Sequence, residues 1–230
     1  MEIYSLLVQN KEAIKIIYGL IIGIICTAIV LRTHRLFKLS FHQGIRYFRN
    51  AFLFYGIAFL VRYILGAFLF FNLINPIYRQ IITSVFEYFL IMAGFFLLYS
   101  LLWKNIEGEN SKYSSSLINP KISLFYLMAL ILVLLDCFWG GLNFMFLSQV
   151  ILFAIASIIS YMNYSEGKTQ YKFRKFYFIA MLLNFFAWLS NALVVFFFNY
   201  NQNIIINIYL LNLVVFILFL YGVVKVTELK

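Results

Sequence analysis

Residues 122–139 read ISLFYLMALILVLLDCFW, a run in which Asp136 is the single acidic or basic side chain. Such a run is close to the roughly 20 apolar residues that an α-helix needs to cross about 30 Å of hydrocarbon. Both ends are punctuated. Asn119-Pro120 precedes the run, and Gly140-Gly141 follows it and makes a tight turn. Working outward, comparable runs lie near 14–34, 48–71, 80–103, 142–162, 175–198 and 203–224. Asn75-Pro76 ends the second run, and Asn199 to Asn203 separates the last two. Both prolines therefore fall in loops, so no span carries a proline kink. The segment Gly108 to Ser116 (GENSKYSSS) reads as the one flexible loop.

Composition agrees with that reading. The chain is 64% hydrophobic and only 11% charged, with 21% aromatic residues and a mean hydropathy of +0.93. Soluble domains are about 45–50% apolar and about 25% charged. This excludes a cytosolic enzyme, a nucleic-acid module and a disulfide-framed secreted domain. The fold class is an all-α integral membrane protein, a seven-transmembrane-helix bundle forming one polytopic domain over residues 1–230. Ile14 to Leu31 is too long for a signal-peptide core and is followed by basic residues instead of a cleavage site, so the first span is expected to be retained. Cys26 and Cys137 lie inside apolar runs and read as small buried hydrophobes.

Charge sets the expected orientation. The loops after spans one, three and five, together with the tail, hold 14 of the 18 basic residues, among them Arg32, Arg35, Lys38, Arg46, Arg49, Lys112, Lys168 and Lys230. The opposite side holds Lys11, Lys15 and Arg79. Lysine and arginine concentrate on the cytoplasmic side of membranes, which places the N-terminus outside and the C-terminus in the cytoplasm. The spans divide as three plus one plus three. A shift of 125 residues lays Ser40 on Ser165, Phe48-Arg49 on Phe173-Arg174, Ala67 on Ala192 and Phe71 on Phe196. An odd central helix would make the two halves parallel repeats about an axis along the membrane normal.

Ionisable groups inside a span cost about 2.5–3.5 kcal/mol each on insertion scales and mark either function or a packed pair. Arg62, Glu87 and Asp136 are the three here. Counted at about 1.5 Å per residue from the nearest loop charge, they stand about 20, 18 and 22 Å above the cytoplasmic edge. Gln149, Asn191 and Asn212 fall at about 18, 24 and 16 Å on the same count. These six residues form the expected outward-displaced pocket for a ligand or ion, which Asn184, Ser148 and Ser190 would extend or brace by interhelical hydrogen bonds. If all three ionised groups keep their charge, one negative charge is left over. Either one carboxyl then holds a proton or a cation completes the site. The competing expectation is an Arg62–Glu87 salt bridge that pins helices, with Asp136 at the wetted outer interface.

The first cytoplasmic loop, RTHRLFKLSFHQGIRYFR (Arg32 to Arg49), interleaves basic and aromatic residues. Its expected contacts are anionic lipid headgroups or a protein partner through Arg32, Arg35, Lys38, Arg46 and Arg49. His34 and His42 are read as interfacial residues, with no metal site expected. The chain contains no H-E-x-x-H or G-x-S-x-G motif and no phosphate loop, and Asn212, not a lysine, stands in the middle of span seven. The expectation is a non-catalytic protein that binds no cofactor and no nucleic acid.

The stretch KLSFHQGIRYFRNAFLFYGIAFLVRY (Lys38 to Tyr63) resembles the corresponding piece of seven-helix sensor modules that precede histidine kinases. That resemblance implies sensing, and a chain ending at Lys230 would relay it to a separate partner. The three-plus-one-plus-three plan is similar to that of SWEET sugar transporters, which differ in carrying prolines within their bundles. The leading expectation is a receptor-like or sensory protein with an outward-facing pocket. The alternatives are a small-solute transporter coupled to protons or cations through Glu87 or Asp136, and a membrane subunit of a larger assembly.

Overall fold

The computed structural model describes residues 11–70, 78–107, 120–165, 172–197 and 202–228. They form seven rods: α1 (Lys11–Ser40), α2 (43–70), α3 (Tyr78–Glu107), α4 (Pro120–Trp139), α5 (Asn143–Ser165), α6 (Lys172–Phe197) and α7 (Gln202–Glu228). All seven are long and apolar enough to cross a membrane. Each corresponds to one of the apolar runs, and most continue past it. α1 runs on through Arg32, Arg35 and Lys38 because a helix satisfies its own backbone, whatever its side chains meet. It stops where Phe41 turns left-handed (φ 51°) and donates its N–H to the Phe37 carbonyl at 2.8 Å. Pro120 is the first residue of α4, where its missing N–H is no loss. Asn75-Pro76, Gly108 to Ser116, Asn199 to Asn201, and Lys112, Lys168 and Lys230 lie outside the described residues.

Six helices close a ring in the order α1, α2, α3, α5, α6, α7 and back to α1, while α4 lies outside it against α3 and α5. Each three-helix run, α1–α3 and α5–α7, packs in sequence order, and α3–α5 and α7–α1 are the two seams between them. The interior is aromatic. Phe48, Phe52, Tyr55 and Phe59 form a stripe on α2, and it reaches across to Phe216 and Phe219 of α7 with ring centres 5.1–6.1 Å apart. Phe54 stacks on Phe96 at 5.1 Å to join α2 to α3, and Phe95 stacks on Phe125 at 4.9 Å to hold α4 outside.

Lipid tails are as apolar as leucine, so helices in a bilayer associate through close packing and small residues. The α1–α2 seam follows that rule. Gly19 and Gly23 of α1 stand four apart, and a Cβ on Gly19 would lie 2.4 Å from the Tyr63 Cβ. Tyr63 belongs to a π-helical turn, Val61–Leu65, inside α2. Such a turn carries a surplus residue and often marks a functional site. Neither proline nor glycine lies within it, so the sequence offered no kink signal.

Candidate functional site

The outer polar level is built from residues that mostly have other partners. Asp136 is buried near the end of α4, and the Gly140 turn (φ 69°) brings the start of α5 back to it. Its Oδ1 accepts from the Phe144 N–H at 2.9 Å and its Oδ2 from the Met145 N–H at 2.8 Å. Its own carbonyl accepts from the N–H groups of Gly140 and Gly141 at 2.9 and 3.3 Å. A carboxylate that caps free amides at a helix N-terminus is stabilised both by hydrogen bonds and by the helix dipole. Asp136 therefore ties the α4–α5 hairpin together.

Gln149 is fully buried and its Nε2 donates to the Leu90 carbonyl at 3.3 Å, which joins α5 to α3 beside Gly94. Asn191 donates to the Ala187 carbonyl of its own helix at 3.0 Å. Asn212 faces the Tyr18 hydroxyl across the α7–α1 seam, and Asn184 faces the Tyr55 hydroxyl. Ser148 bonds back to the Met145 carbonyl at 2.8 Å. Arg62 sits on the π-helical turn with its guanidinium 4.4 Å above the centre of the Phe86 ring. Glu87, the next residue on α3, is 3% exposed, and its Oε2 has no hydrogen-bond partner. Among the described residues no ion pair joins Arg62 to Glu87. The structure thus gathers Arg62, Glu87 and Asp136 into one electrostatic neighbourhood and bonds Gln149 and Asn191 to separate backbone carbonyls, while the Tyr18 hydroxyl beside Asn212 makes no hydrogen bond.

Empty space lies at the opposite end. A cavity of about 600 Å³ opens among the basic ends of the ring helices. Every ring helix lines it: Thr33 and Leu36 from α1, Gly44, Ile45 and Phe48 from α2, Ser100, Leu101 and Trp103 from α3, Ser160 and Asn163 from α5, Tyr177 from α6, and Val223 and Val226 from α7. α4 contributes nothing. Ser100 Oγ and Tyr177 Oη lie 3.2 Å apart, which spans the ring between helices that are not neighbours in it. Phe48 and Tyr177, which line the cavity, pack in turn on Phe52 and Phe219, with ring centres 4.8–6.3 Å apart. At the mouth the His42 ring meets Trp103 edge to face at 5.0 Å.

No ionisable side chain except His42 and Tyr177 lines this space. It therefore offers hydroxyls, an amide and aromatic faces to a small molecule without demanding a charge from it. None of the six outer-level candidates lines it. Reading the sequence missed Thr33, Ser100, Ser160, Asn163 and Tyr177 because each stands within a few turns of a basic loop, where a polar side chain has an ordinary interfacial explanation. The one usable signal was their recurrence at that height on four helices.

The basic segment surrounds the mouth. Arg32 Nη1 donates to Thr227 Oγ1 at 3.4 Å, joining α1 to α7. Arg49 donates to His34 Nδ1 at 2.8 Å and to Asn50 Oδ1 at 3.2 Å, and Arg46 donates to Gln43 Oε1 at 3.4 Å. The guanidinium groups of Arg46 and Arg49 both lie within 5.9 Å of the Phe37 ring centre. Arg35 and Lys38 are exposed. Among the described residues no cluster of histidine, cysteine or carboxylate side chains has the form of a metal site.

No protein-family model matches the chain, and no solved structure matches it. The chain is similar to an uncharacterized protein of Archaeoglobus fulgidus, 26% identical over 198 residues that cover 80% of each chain. The seven apolar helices mark it as a multi-pass membrane protein.

Proposed function

We propose that this protein is a small-solute transporter whose two three-helix units, α1–α3 and α5–α7, move against each other around the cavity. The observation that carries the reading is that all six ring helices line one cavity while the linking helix α4 lines none of it. A space on the seam of two like units is where alternating access needs its binding site. The positive-inside rule puts its mouth in the cytoplasm, the N-terminus outside and the C-terminus inside. Exposed Arg35 and Lys38, with Arg32, Arg46 and Arg49, hold that face against anionic headgroups of the cell membrane. The opening at the basic end favours transport over an outward-facing receptor pocket. The neutral lining favours an uncharged solute bearing both hydroxyl and apolar faces.

The test uses the purified chain in lipid nanodiscs and proteoliposomes, with neutral sugars, nucleosides and polyols as probes. At least one of these classes should raise the unfolding temperature and cross the proteoliposome membrane. Ser160→Trp, which fills the cavity from α5, should abolish both effects. Binding that survives Ser160→Trp places the site elsewhere. Binding without flux would turn the reading into that of a sensor, and the absence of binding by every probe class would overturn it.

A further inference from the structure

Glu87 presents a buried carboxyl oxygen with no partner, within electrostatic reach of two unlike charges on neighbouring helices. Asp136, from α4, accepts an α5 amide N–H at each oxygen, the bonding pattern of a carboxylate. Arg62, from α2, is a cation resting on the ring of Phe86, the residue beside Glu87. The charges of Asp136 and Arg62 cancel, so the arrangement is neutral when Glu87 carries a proton. Arg62 also rides on the π-helical turn Val61–Leu65, whose surplus residue leaves the backbone a second, ordinary α-helical register.

We propose that Glu87 is a proton-binding site and that Arg62 moves from the Phe86 ring to the Glu87 carboxylate when the proton leaves. The O–H bond of the carboxyl breaks, the proton passes to water, and the guanidinium matches the charge left behind; no other bond changes. The π-helical turn shifts with Arg62 and carries the outer end of α2. A proton fits this place better than a metal ion. A hard cation takes six or more oxygen ligands, whereas the Glu87 carboxyl alone is on offer and Asp136 is already engaged. This site stands apart from the cavity, so it is tested without reference to any solute.

The experiment is an infrared pH titration of the protein in nanodiscs, following the high-frequency band of an unpartnered protonated carboxyl. Wild-type protein should show one such band that disappears as pH rises, and ¹³C-glutamate labelling should shift it. E87Q should remove it. F86L takes away the resting place of Arg62, so the guanidinium is freer to pair and the midpoint should fall by about one pH unit, a tenfold change in proton affinity. A wild-type protein with no titrating band, or a band that labelling does not move, overturns the proton site even if E87Q fails to fold. An F86L midpoint equal to wild type overturns the motion of Arg62.

Discussion

The outer polar level and the basic end both draw polar side chains from several helices; at the basic end they line a cavity, and none of the six outer-level residues borders it. At the outer level the helices come close. Gly19 meets Tyr63, Gly23 meets Leu60 and Gly94 meets Gln149, so the polar groups there cap a helix, bond a neighbouring backbone or are covered over. At the basic end Tyr177, Phe48 and Trp103 line about 600 Å³ of space, although α2 and α3 still meet closely there where Trp103 packs on Gly44. Polarity at a common height is thus no measure of space. A pocket needs bulk that cannot fill it.

The closed half is broken most severely at its tightest contact. An alanine at position 19 would bring its Cβ to 2.4 Å from the Tyr63 Cβ. That atom is fixed to the backbone, so no rotamer change relieves the overlap. Gly19→Ala should cost about 2–3 kcal/mol, read as a lowered unfolding temperature in detergent. Tyr63→Ala should fail to rescue it because the clash is with Cβ itself. Unchanged stability would mean that α1 and α2 separate freely beside the π-helical turn.

Asp136 comes next and sharpens the contrast between cap and pocket. Asp136→Ala removes both acceptors from the start of α5 and should cost about 1–2 kcal/mol. Asparagine keeps one acceptor but turns an NH2 donor toward the second amide N–H, so Asp136→Asn should cost a comparable amount and leave solute binding intact. If Asp136→Asn instead abolishes binding while the protein remains stable, the outer level is a site and the comparison fails.

All seven helices were legible because apolar length is a one-dimensional property: the run 122–139 and its six companions need no knowledge of neighbours. The Gly140-Gly141 turn was legible for the same local reason. Counting along each helix set Arg62, Glu87 and Asp136 at one expected level. Partners were not. Whether Asp136 meets water or α5 amides depends on how the hairpin closes, and whether Arg62 meets Glu87 or Phe86 depends on a π-helical turn with no local marker. The cavity was hidden for a third reason. Ser100 and Tyr177 look interfacial on their own helices, and only the ring order shows that they meet across its centre.

The mildest change tests the closed level where its packing is least demanding. Gln149 makes one long bond, 3.3 Å from Nε2 to the Leu90 carbonyl, and its Oε1 has no partner. Measured interhelical hydrogen bonds in a membrane bundle average about 0.6 kcal/mol. Gln149→Leu would forfeit that bond and also remove an unpartnered buried oxygen, at nearly constant volume. The two effects oppose each other, so unfolding stability should stay within about 0.6 kcal/mol of wild type. A loss above about 2 kcal/mol, comparable with Gly19→Ala, would mean that polar bonding rather than close packing holds α3 to α5. Near-neutrality would leave Glu87 as the ionisable carboxyl among the buried, unpartnered groups of the described residues, which also include the Tyr18 and Tyr55 hydroxyls.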